Sequence, residues 1–249
     1  MKHKLKLLFE KITGFKTYKK LPHGQSPFND LKFRFEKSSF DLFFDIGANI
    51  GQSISEIREY YPNSTIYSFE PVLSTYKTLI ENCPDNKVKC FQIGFGSEKS
   101  ELDIYIDEDT KSDMISFNAK NNNKSSSHKE TVKIETLDSF CTDNRIEKID
   151  YVKIDTEGYD LQVLKGATHL LQNAKLSFIE TEVSMNPENT FHARFEDVKE
   201  YLEKFDYRLY GIYKQIHEWP TKKPILRRVN ALFISKTIYS RVGKGEFHP

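Results

Sequence analysis

The sequence predicts an α/β fold built on a mostly parallel sheet with helices on both faces. From residue 40 onward, short apolar strand-like runs alternate with amphipathic helix-like runs, and the connections between them are short. Such alternation is typical of βα units, whose crossovers place helices over a parallel sheet. The last two strand-like runs have no helix between them, so one of them is expected to run antiparallel.

Local patterns define the individual elements. Runs rich in β-branched and aromatic residues, or strict alternation as in ELDIYI, indicate strands, and apolar residues at helical spacing indicate helices. Strands are predicted at residues 42–46, 65–70, 87–93, 101–106, 131–137, 151–155, 176–183, 207–213 and 230–235. Helices are predicted at residues 53–61, 72–83, 159–174 and 195–205, and Pro71 suits the first turn of the second.

One long polar segment interrupts this order. Residues 107–130 are rich in Asn, Ser and Lys and have no periodicity, so they are expected to form a mobile loop or a lid that orders over a ligand. The predicted organisation is a basic N-terminal extension at 1–38, a main domain at 39–240 that contains this insertion, and a tail at 241–249.

The first 20 residues form a second unusual segment, with seven lysines. Leu5, Leu8, Phe9 and Ile12 recur at helical spacing, which predicts a short basic amphipathic helix. The segment lacks the roughly 18 apolar residues of a membrane span. Two interpretations are open: a packing or oligomer-forming helix, and a helix that associates with anionic lipid at a membrane surface.

Composition excludes several classes of protein. The chain has 249 residues, enough for a sizeable core, and its 37 basic and 36 acidic side chains leave a formal charge of +1. No net basic field exists to gather phosphates, so no nucleic-acid partner is expected. Three cysteines, none in a CxxC pair, argue against a disulfide framework or cysteine zinc site and favour a cytoplasmic protein.

The stretch FFDIGANIGQ carries the first functional signal. Asp45 ends a strand, and Gly47 and Gly51 bracket the turn into a helix, which leaves room for a ligand against the main chain. Glu70 ends the next strand, where a carboxylate can accept both hydroxyls of an unphosphorylated ribose. The dinucleotide pattern GxGxxG is absent, which disfavours an NAD-dependent oxidoreductase. The ligand implied is S-adenosylmethionine; the alternative is an ordinary glycine turn with two surface carboxylates.

Further motifs follow at characteristic intervals: SFEP, ETLDSF, DYVKIDTEGYDLQVLKGA and IETEVS. Together with DIGANIGQ, they resemble the FkbM family of S-adenosylmethionine-dependent methyltransferases over roughly residues 40 to 235. The resemblance implies a class I methyltransferase fold, which is a Rossmann-like three-layer sandwich with a seven-stranded, mostly parallel sheet and one antiparallel strand near its edge. It also implies O-methylation, commonly of sugar or polyketide hydroxyls.

The resemblance also implies which residues bind the cofactor. They are Asp45, Gly47, Ala48, Asn49, Gly51 and Gln52 around the turn, Glu70 and Pro71 after the second strand, and Gly94 after the third. The sequence QIGFGS, with Gly94 and Gly96, departs from the small residue and glycine usual in the family, so the adenine contacts are not assigned. Asp160 stands where the family often has Glu.

Carboxylates at later strand ends are candidates for chemistry on the acceptor. Methylation of a hydroxyl needs proton removal and alignment, and the predicted catalytic residues are Asp155, Glu157, Glu182 and His192. Glu180 and Glu182 share a strand face. Crowded carboxylates could raise one pKa so that one serves as base; alternatively, Asp155 and Glu182 could hold a divalent metal. Glu157 could also be only an N-terminal helix residue that the dipole stabilises.

The function predicted from these signals is O-methylation of a sugar hydroxyl, on a nucleotide-linked sugar or a glycan precursor. The basic run KKPILRR is either a solvated loop or a contact for a phosphate-bearing acceptor. Alternatives are a polyketide, peptide or phosphoramidate acceptor, or a cofactor-binding module without catalysis. The expected location is the cytoplasm, with peripheral contact at the inner face of the membrane through the N-terminus as an option, and an oligomer is a further option.

Overall fold

The computed structural model describes residues 2–18, 22–35, 39–83, 85–107 and 127–242. Most of the predicted polar insertion (residues 108–126) and most of the predicted tail (residues 243–249) lie outside the described residues. Within the described ranges, no helix has the length and hydropathy needed to cross a bilayer.

The described chain forms helices and strands in alternation. The helices are α1 (Lys2–Thr13), α2 (Pro27–Arg34), α3 (Gln52–Tyr60), α4 (Leu73–Asn82), α5 (Leu137–Asp143), α6 (Asp160–Lys165), α7 (Thr168–Gln172), α8 (Phe195–Glu203) and α9 (Lys236–Val242). The strands are β1 (Leu42–Ile46), β2 (Thr65–Phe69), β3 (Val88–Phe91), β4 (Gly94–Phe95), β5 (Ser100–Asp107), β6 (Ser127–Glu135), β7 (Ile149–Ile154), β8 (Leu176–Ser184), β9 (Arg208–His217) and β10 (Leu226–Ile234).

Seven strands form the main sheet, in the order β3-β2-β1-β7-β8-β10-β9. Strand β10 runs antiparallel to both of its neighbours, and the remaining pairs are parallel. The strand order reverses between β1 and β7, which is where ligands bind in open α/β sheets. This confirms the predicted fold class, including the antiparallel strand next to the edge.

Two apolar clusters cover the two faces of the main sheet and make the fold a three-layer sandwich. One cluster takes its helical residues from α5, α6, α7 and α8, and the other from α2, α3 and α4. Strands β7 and β8 are buried along their whole length because they lie in the middle of the sheet between these layers. The loops after β1 and β7 therefore start from strands whose carboxyl ends are buried.

A second sheet differs from what the sequence predicts. Strands β4, β6 and β5 form a three-stranded sheet in which β5 pairs antiparallel with β6. The antiparallel character of residues 101–106 is confirmed, but strand β6 begins at Ser127, inside the segment predicted to be an irregular loop. Residues 127–130 are polar but form a strand because they pair with β5, and local composition does not indicate such pairing.

The helix predicted at residues 159–174 is divided into α6 and α7. The break falls at Gly166, where an added Cβ would lie 2.0 Å from the carbonyl oxygen of Gly96. The main chain of the β4 loop therefore packs directly against the break, and the amphipathic pattern continues across it because both helices bury the same cluster.

Candidate active site

A cavity of about 400 Å³ opens at the carboxyl ends of the central strands. One side is formed by the loops after β1 and β2 and by β4, and the other by the loop after β7 and by β9 and β10. It therefore lies across the reversal of strand order between β1 and β7. The lining includes seven of the nine predicted cofactor residues: Gly47, Ala48, Asn49, Gln52, Glu70, Pro71 and Gly94.

The turn after β1 depends on the glycine at position 47. Gly47 has a φ of 78°, and the N–H groups of Gly47 and Ala48 both donate to the Phe69 carbonyl oxygen at 3.0 Å. A Cβ at position 47 would lie 1.9 Å from the carbonyl oxygen of Asp155. The turn after β1 and the loop after β7 thus touch through their main chains, which brings the two halves of the cavity together.

We expect the substitution Gly47→Ala to weaken S-adenosylhomocysteine binding by more than tenfold. The side chain would both collide with Asp155 and occupy a left-handed conformation, which costs L-residues about 1–2 kcal/mol. The measurement is isothermal titration, with Gly24→Ala as control. Gly24 has a φ of 92° but nothing within 4 Å of an added Cβ, so equal losses in both variants would attribute the effect to backbone strain alone.

Asp45 lies beneath the cavity rather than in its lining. The side chain is fully buried, and within the described part of the chain neither carboxylate oxygen has a hydrogen-bond partner. Burial raises the pKa of Asp45, and the Lys153 ammonium, 3.9 Å away, opposes that shift. Beside its 3.9 Å ion pair with Lys153, the buried Asp45 carboxylate retains acceptor capacity for a cationic ligand in the adjoining cavity, whose lining includes Ile46 and Gly47.

Glu70 presents a carboxylate to the cavity from the end of β2. Its two oxygens accept hydrogen bonds from the N–H groups of Asn49 (3.1 Å) and Val72 (3.0 Å), which fixes the plane of the carboxylate. Burial raises the pKa of Glu70 to about 7. Each oxygen retains acceptor capacity for a ligand hydroxyl. This geometry suits a ribose diol, as the sequence predicts.

Gly51 is the other predicted cofactor residue that does not line the cavity. It has a φ of 94° and precedes α3, and an added Cβ would meet the side chains of Leu79 on α4 and of Cys83 directly after α4. Its place in the pattern therefore reflects the packing of α3 on α4. The predicted contacts of the lining residues with the cofactor stay predictions.

Lys153 on β7 was missed as a site residue. The side chain is almost fully buried, and its Nζ lies 2.9 Å from Asp155 Oδ2 and 3.9 Å from Asp45 Oδ1. Burial opposes the charge on Lys153, but the carboxylates of Asp155, Asp45 and Glu180 outweigh it and raise the pKa of the lysine. The sequence does contain a signal for it: a lysine within an apolar run that predicts a buried strand.

Asp155 is held as an anion by this lysine. Burial acts to raise its pKa, but the Lys153 ammonium, with help from Arg228 and Lys214, holds the pKa of Asp155 below its usual range. A carboxylate with a lowered pKa is a weak proton acceptor. Of the predicted catalytic residues, Asp155 therefore has the electrostatics of a fixed counter-ion.

Glu157 has the opposite character. It follows β7 by three residues, lines the cavity and adopts a φ of 51°, an uncommon conformation for a residue other than glycine. Burial and, next, the charge of Asp155 raise the pKa of Glu157 to about 7. A strained, half-buried carboxylate that titrates near neutrality has the properties expected of a general base.

His192 and Glu182 lie beside Glu157 but outside the cavity lining. The Phe191 N–H donates to Asn189 Oδ1 (3.2 Å), so the Asn189 amide donates to His192 Nδ1 at 3.0 Å. The proton of the neutral ring then resides on Nε2 and is donated to Glu182 Oε2 at 2.7 Å. Burial lowers the pKa of His192, which favours this neutral form.

The second oxygen of Glu182 is engaged from the neighbouring strand. Arg228 on β10 lines the cavity, and its guanidinium contacts Glu182 Oε1 directly. Arg228 belongs to the basic run KKPILRR, so part of that run reaches the site and is not a solvated loop. Glu182 is therefore held between Arg228 and His192.

These contacts do not fit a divalent cation. Glu157, Glu182 and His192 have potential ligand atoms within 4.8 Å of one another. A histidine that ligates through Nε2 carries its proton on Nδ1, yet here Asn189 donates to that atom. The Arg228 charge on Glu182 would also repel a metal.

Asp155, the other predicted ligand, pairs with Lys153 and is not part of this cluster. We therefore derive no step through a metal, and the predicted metal pair of Asp155 and Glu182 stays a prediction.

Two neighbouring carboxylates are structural. Glu180 is fully buried and accepts hydrogen bonds from the Tyr151 hydroxyl and from Asn230. Asp160 accepts from Thr156 (3.0 Å) and Thr181 (2.9 Å), and burial raises its pKa to about 6. Asp160 thereby ties the loop after β7 to β8.

Comparison with known proteins agrees with this site. The model of the "Methyltransferase FkbM domain" matches residues 45–209, about two thirds of the chain and the whole span from Asp45 to the start of β9. The chain belongs to the FkbM methyltransferase family. The predicted family is confirmed. The cavity of this FkbM protein fits the family's cofactor, S-adenosylmethionine: a cation-favouring floor at Asp45 and a diol acceptor at Glu70.

Three curated relatives are similar to this FkbM protein. They are the hexuronic acid methyltransferase AglP of Haloferax volcanii (26% identical, 62% of this chain and 61% of that protein), methyltransferase 1 of Beauveria bassiana (27%, 49% and 56%) and the 2-O-methyltransferase NoeI of Sinorhizobium fredii (25%, 57% and 63%). The chain spans less than two thirds of the length of each relative.

Proposed function

We propose that this protein transfers the methyl group of S-adenosylmethionine to a hydroxyl of a sugar that carries an anionic group, such as a uronic acid or a nucleotide-linked sugar. The observation that carries the proposal is the division of the cavity. Glu70 and the turn after β1 occupy one side, and Glu157, Lys214 and Arg228 occupy the other. A cofactor on the first side leaves the second side for the acceptor.

Glu157 is the proposed general base. Bound S-adenosylmethionine supplies an electrophilic methyl group on a sulfonium. Glu157 would accept the hydroxyl proton as the acceptor oxygen takes up that methyl group, with S-adenosylhomocysteine as the leaving group. A base with a pKa of about 7 accepts a proton readily, is about half ionised at pH 7 and is largely ionised above it.

His192 and Glu182 have positioning roles in this proposal. His192 Nε2 lies 3.8 Å from Glu157 Oε2, so the ring limits where the Glu157 carboxylate can move. Both ring nitrogens are already engaged, Nδ1 with Asn189 and Nε2 with Glu182. His192 therefore has no free nitrogen for the acceptor proton, which is why the role of base is assigned to Glu157.

Lys214 and Arg228 are the reason to propose an anionic acceptor. Both side chains line the cavity, and both retain donors beyond their contacts with Glu56 and Glu182. A carboxylate or phosphate on the sugar would bind these cations through charge-assisted hydrogen bonds. The names of two relatives, a hexuronic acid methyltransferase and a 2-O-methyltransferase, are consistent with a sugar acceptor.

The alternatives make distinct predictions. A polyketide or peptide acceptor needs no anionic subsite, a phosphoramidate would use the same cations, and a cofactor-binding module would bind S-adenosylhomocysteine but methylate nothing. The test is turnover with S-adenosylmethionine on a panel of UDP-glucuronic acid, UDP-glucose, free glucuronic acid and free glucose, after treatment with a chelator. Methylation confined to the anionic sugars supports the proposal. Cofactor binding without turnover on any of them would contradict it.

We expect the substitution Lys214→Ala to raise KM for an anionic sugar by about 10- to 100-fold with a smaller change in kcat. A hydrogen bond to a charged group contributes about 1.5–3 kcal/mol, and this contact is made before and during methyl transfer. Steady-state kinetics on the acceptor identified above measure both constants. The control is Lys204→Ala directly after α8, where the lysine is exposed and pairs with Glu200. Equal effects of the two substitutions would remove Lys214 from acceptor binding.

A further inference from the structure

Helix α1 presents an apolar face that nothing in the described chain covers. Leu5, Leu8, Phe9 and Ile12 recur at positions i, i+3, i+4 and i+7, and each is between 50% and 74% exposed. A helix that packs on its own domain buries this face. The packing interpretation of the basic N-terminal helix therefore finds no support among the described residues.

The polar positions of α1 are arranged around this face. At about 100° per residue, Lys6 and Lys11 fall on opposite flanks of the stripe formed by Leu5, Leu8, Phe9 and Ile12. Long lysine side chains in such positions lie along apolar surface and keep the ammonium in water. Leu7 falls on the side away from the stripe, although it is as exposed as Phe9.

The negative charge of α1 is neutralised within the N-terminal segment itself. Glu10 Oε1 accepts from the backbone N–H of Thr17 (2.8 Å) and from its hydroxyl (2.9 Å), and Lys6 and Lys16 pair with the carboxylate. The Thr17 backbone hydrogen bond is the largest of the contacts that lower the pKa of Glu10. The segment therefore offers its unpaired charge as positive charge only.

The apolar surface continues past the end of α1. Phe15 and Tyr18 are 73% and 58% exposed, and Thr17 folds back onto Glu10 between them. Large aromatic side chains next to lysines suit the boundary between lipid headgroups and acyl chains.

We propose that α1 lies in the surface of a membrane that contains anionic lipids, with Leu5, Leu8, Phe9 and Ile12 toward the acyl chains and the lysines at the headgroups. The charge beside the apolar face of α1 favours a membrane, rather than a second copy of the chain, as the partner that covers it. Two copies joined through this face would bring the flanking lysines Lys6 and Lys11 of each copy together, whereas anionic headgroups complement their charge. The proposal stands apart from the proposed methyl transfer, since it uses no residue of the cavity.

The test is co-sedimentation of the full chain with vesicles of phosphatidylcholine alone and with 30% phosphatidylglycerol. We expect binding to the anionic vesicles that weakens as salt is raised, and little binding to the neutral ones. Leu8→Gln is expected to weaken the partition by about tenfold or more, since the burial of one leucine contributes about 1.5–3 kcal/mol and 1.4 kcal/mol corresponds to tenfold. The double substitution of Lys6→Gln and Lys11→Gln is expected to weaken binding to the anionic vesicles and to leave binding to the neutral vesicles unchanged.

The matched control is Leu7→Gln, the same change on the same helix but on the opposite side. The affinity for S-adenosylhomocysteine, measured for every variant, reports whether the catalytic domain is intact. Equal effects of Leu7→Gln and Leu8→Gln would overturn the proposed orientation of α1. Failure to bind anionic vesicles would overturn the proposal, and concentration-dependent dimerisation lost in Leu8→Gln would then assign the face to a second copy.

Discussion

Substitution of Glu157 by glutamine is expected to lower the rate of methyl transfer by about 10²–10⁴-fold, while the affinity for S-adenosylhomocysteine changes little. Glutamine keeps the size of the side chain and a hydrogen-bonding oxygen but cannot take up the acceptor proton. It also tolerates the φ of 51° no worse than glutamate does, so the loop after β7 should keep its course. Single-turnover kinetics and isothermal titration measure the two quantities separately.

The pH dependence gives an independent readout of the same group. The active form of Glu157 is the carboxylate, and burial raises its pKa to about 7. The wild-type rate should therefore rise with pH through this region and level off above it. A bound sulfonium stabilises the carboxylate, so the inflection in kcat is expected at pH 7 or somewhat below. In Glu157→Gln the inflection should disappear and leave a low, flat profile.

The control for this prediction is Glu59→Gln, a neutralised glutamate that is exposed on α3. It should retain both the rate and the inflection. If Glu157→Gln kept the wild-type rate, or kept the inflection near pH 7, the base would be another group. Asp155→Asn could then be compared, although the loss of the partner of Lys153 complicates that variant.

The fold was predictable because its signals are local. The strand-like runs at 42–46 and 151–155 are short and apolar, and the glycine pattern after the first of them indicates a turn. Helical spacing likewise predicts α3 and α8. The sequence did not predict α2, α5, α9 or β4. Two further differences, the division at Gly166 and the strand that starts at Ser127, come from backbone contacts with segments distant in sequence. Such contacts produce no periodic pattern of apolar residues in the local sequence.

The candidate site was predictable only where it follows strand ends. Carboxyl ends of parallel strands share one edge, so Glu70, Asp155 and Glu157 could be placed near the cavity from their positions alone. The roles of these carboxylates could not be predicted, because they depend on which charged side chains lie next to them. The Lys153 ammonium keeps Asp155 ionised. Glu157 has no such lysine among the causes of its pKa shift, and its pKa is about 7.

The acceptor side was harder because it depends on antiparallel register. Strand β10 pairs with β8 so that Arg228 lies opposite Ser184, two residues beyond Glu182. A shift of one residue would turn the arginine to the other face of the sheet. Irregularities in the pairing of β10 with β9 adjoin this position, and loop length alone does not determine them.

The buried lysine of β7 allows the last prediction. Lys153→Met is expected to destabilise the protein by about 3 kcal/mol at neutral pH, because removal of one member of a buried ion pair leaves the other uncompensated. We take the lower end of the usual range since 30% of the Asp155 side chain is exposed. Methionine fills a similar volume, so lost packing contributes little. Urea unfolding followed by circular dichroism measures the difference.

The pH dependence of this loss separates charge from packing. In the wild type, Lys153 together with Arg228 and Lys214 outweighs burial and lowers the pKa of Asp155, so the pair stabilises the fold at neutral pH and this stabilisation falls as the pH drops toward that pKa. Without Lys153, burial dominates and raises the pKa of both Asp155 and Asp45. Protonation of these groups then removes the uncompensated buried charge in the variant. The loss of unfolding free energy relative to the wild type should therefore decrease between pH 7 and pH 5.

The chain contains its own matched control. Lys148 pairs with Asp150 at 2.7 Å, with the same Lys-x-Asp spacing at the opposite end of β7, but the Lys148 side chain is 53% exposed. Lys148→Met should therefore cost less than about 1 kcal/mol at neutral pH, because solvent screens the pair. If the two substitutions had similar effects, or if the deficit of Lys153→Met did not depend on pH, Lys153 would matter through packing and not as the counter-ion of the two carboxylates.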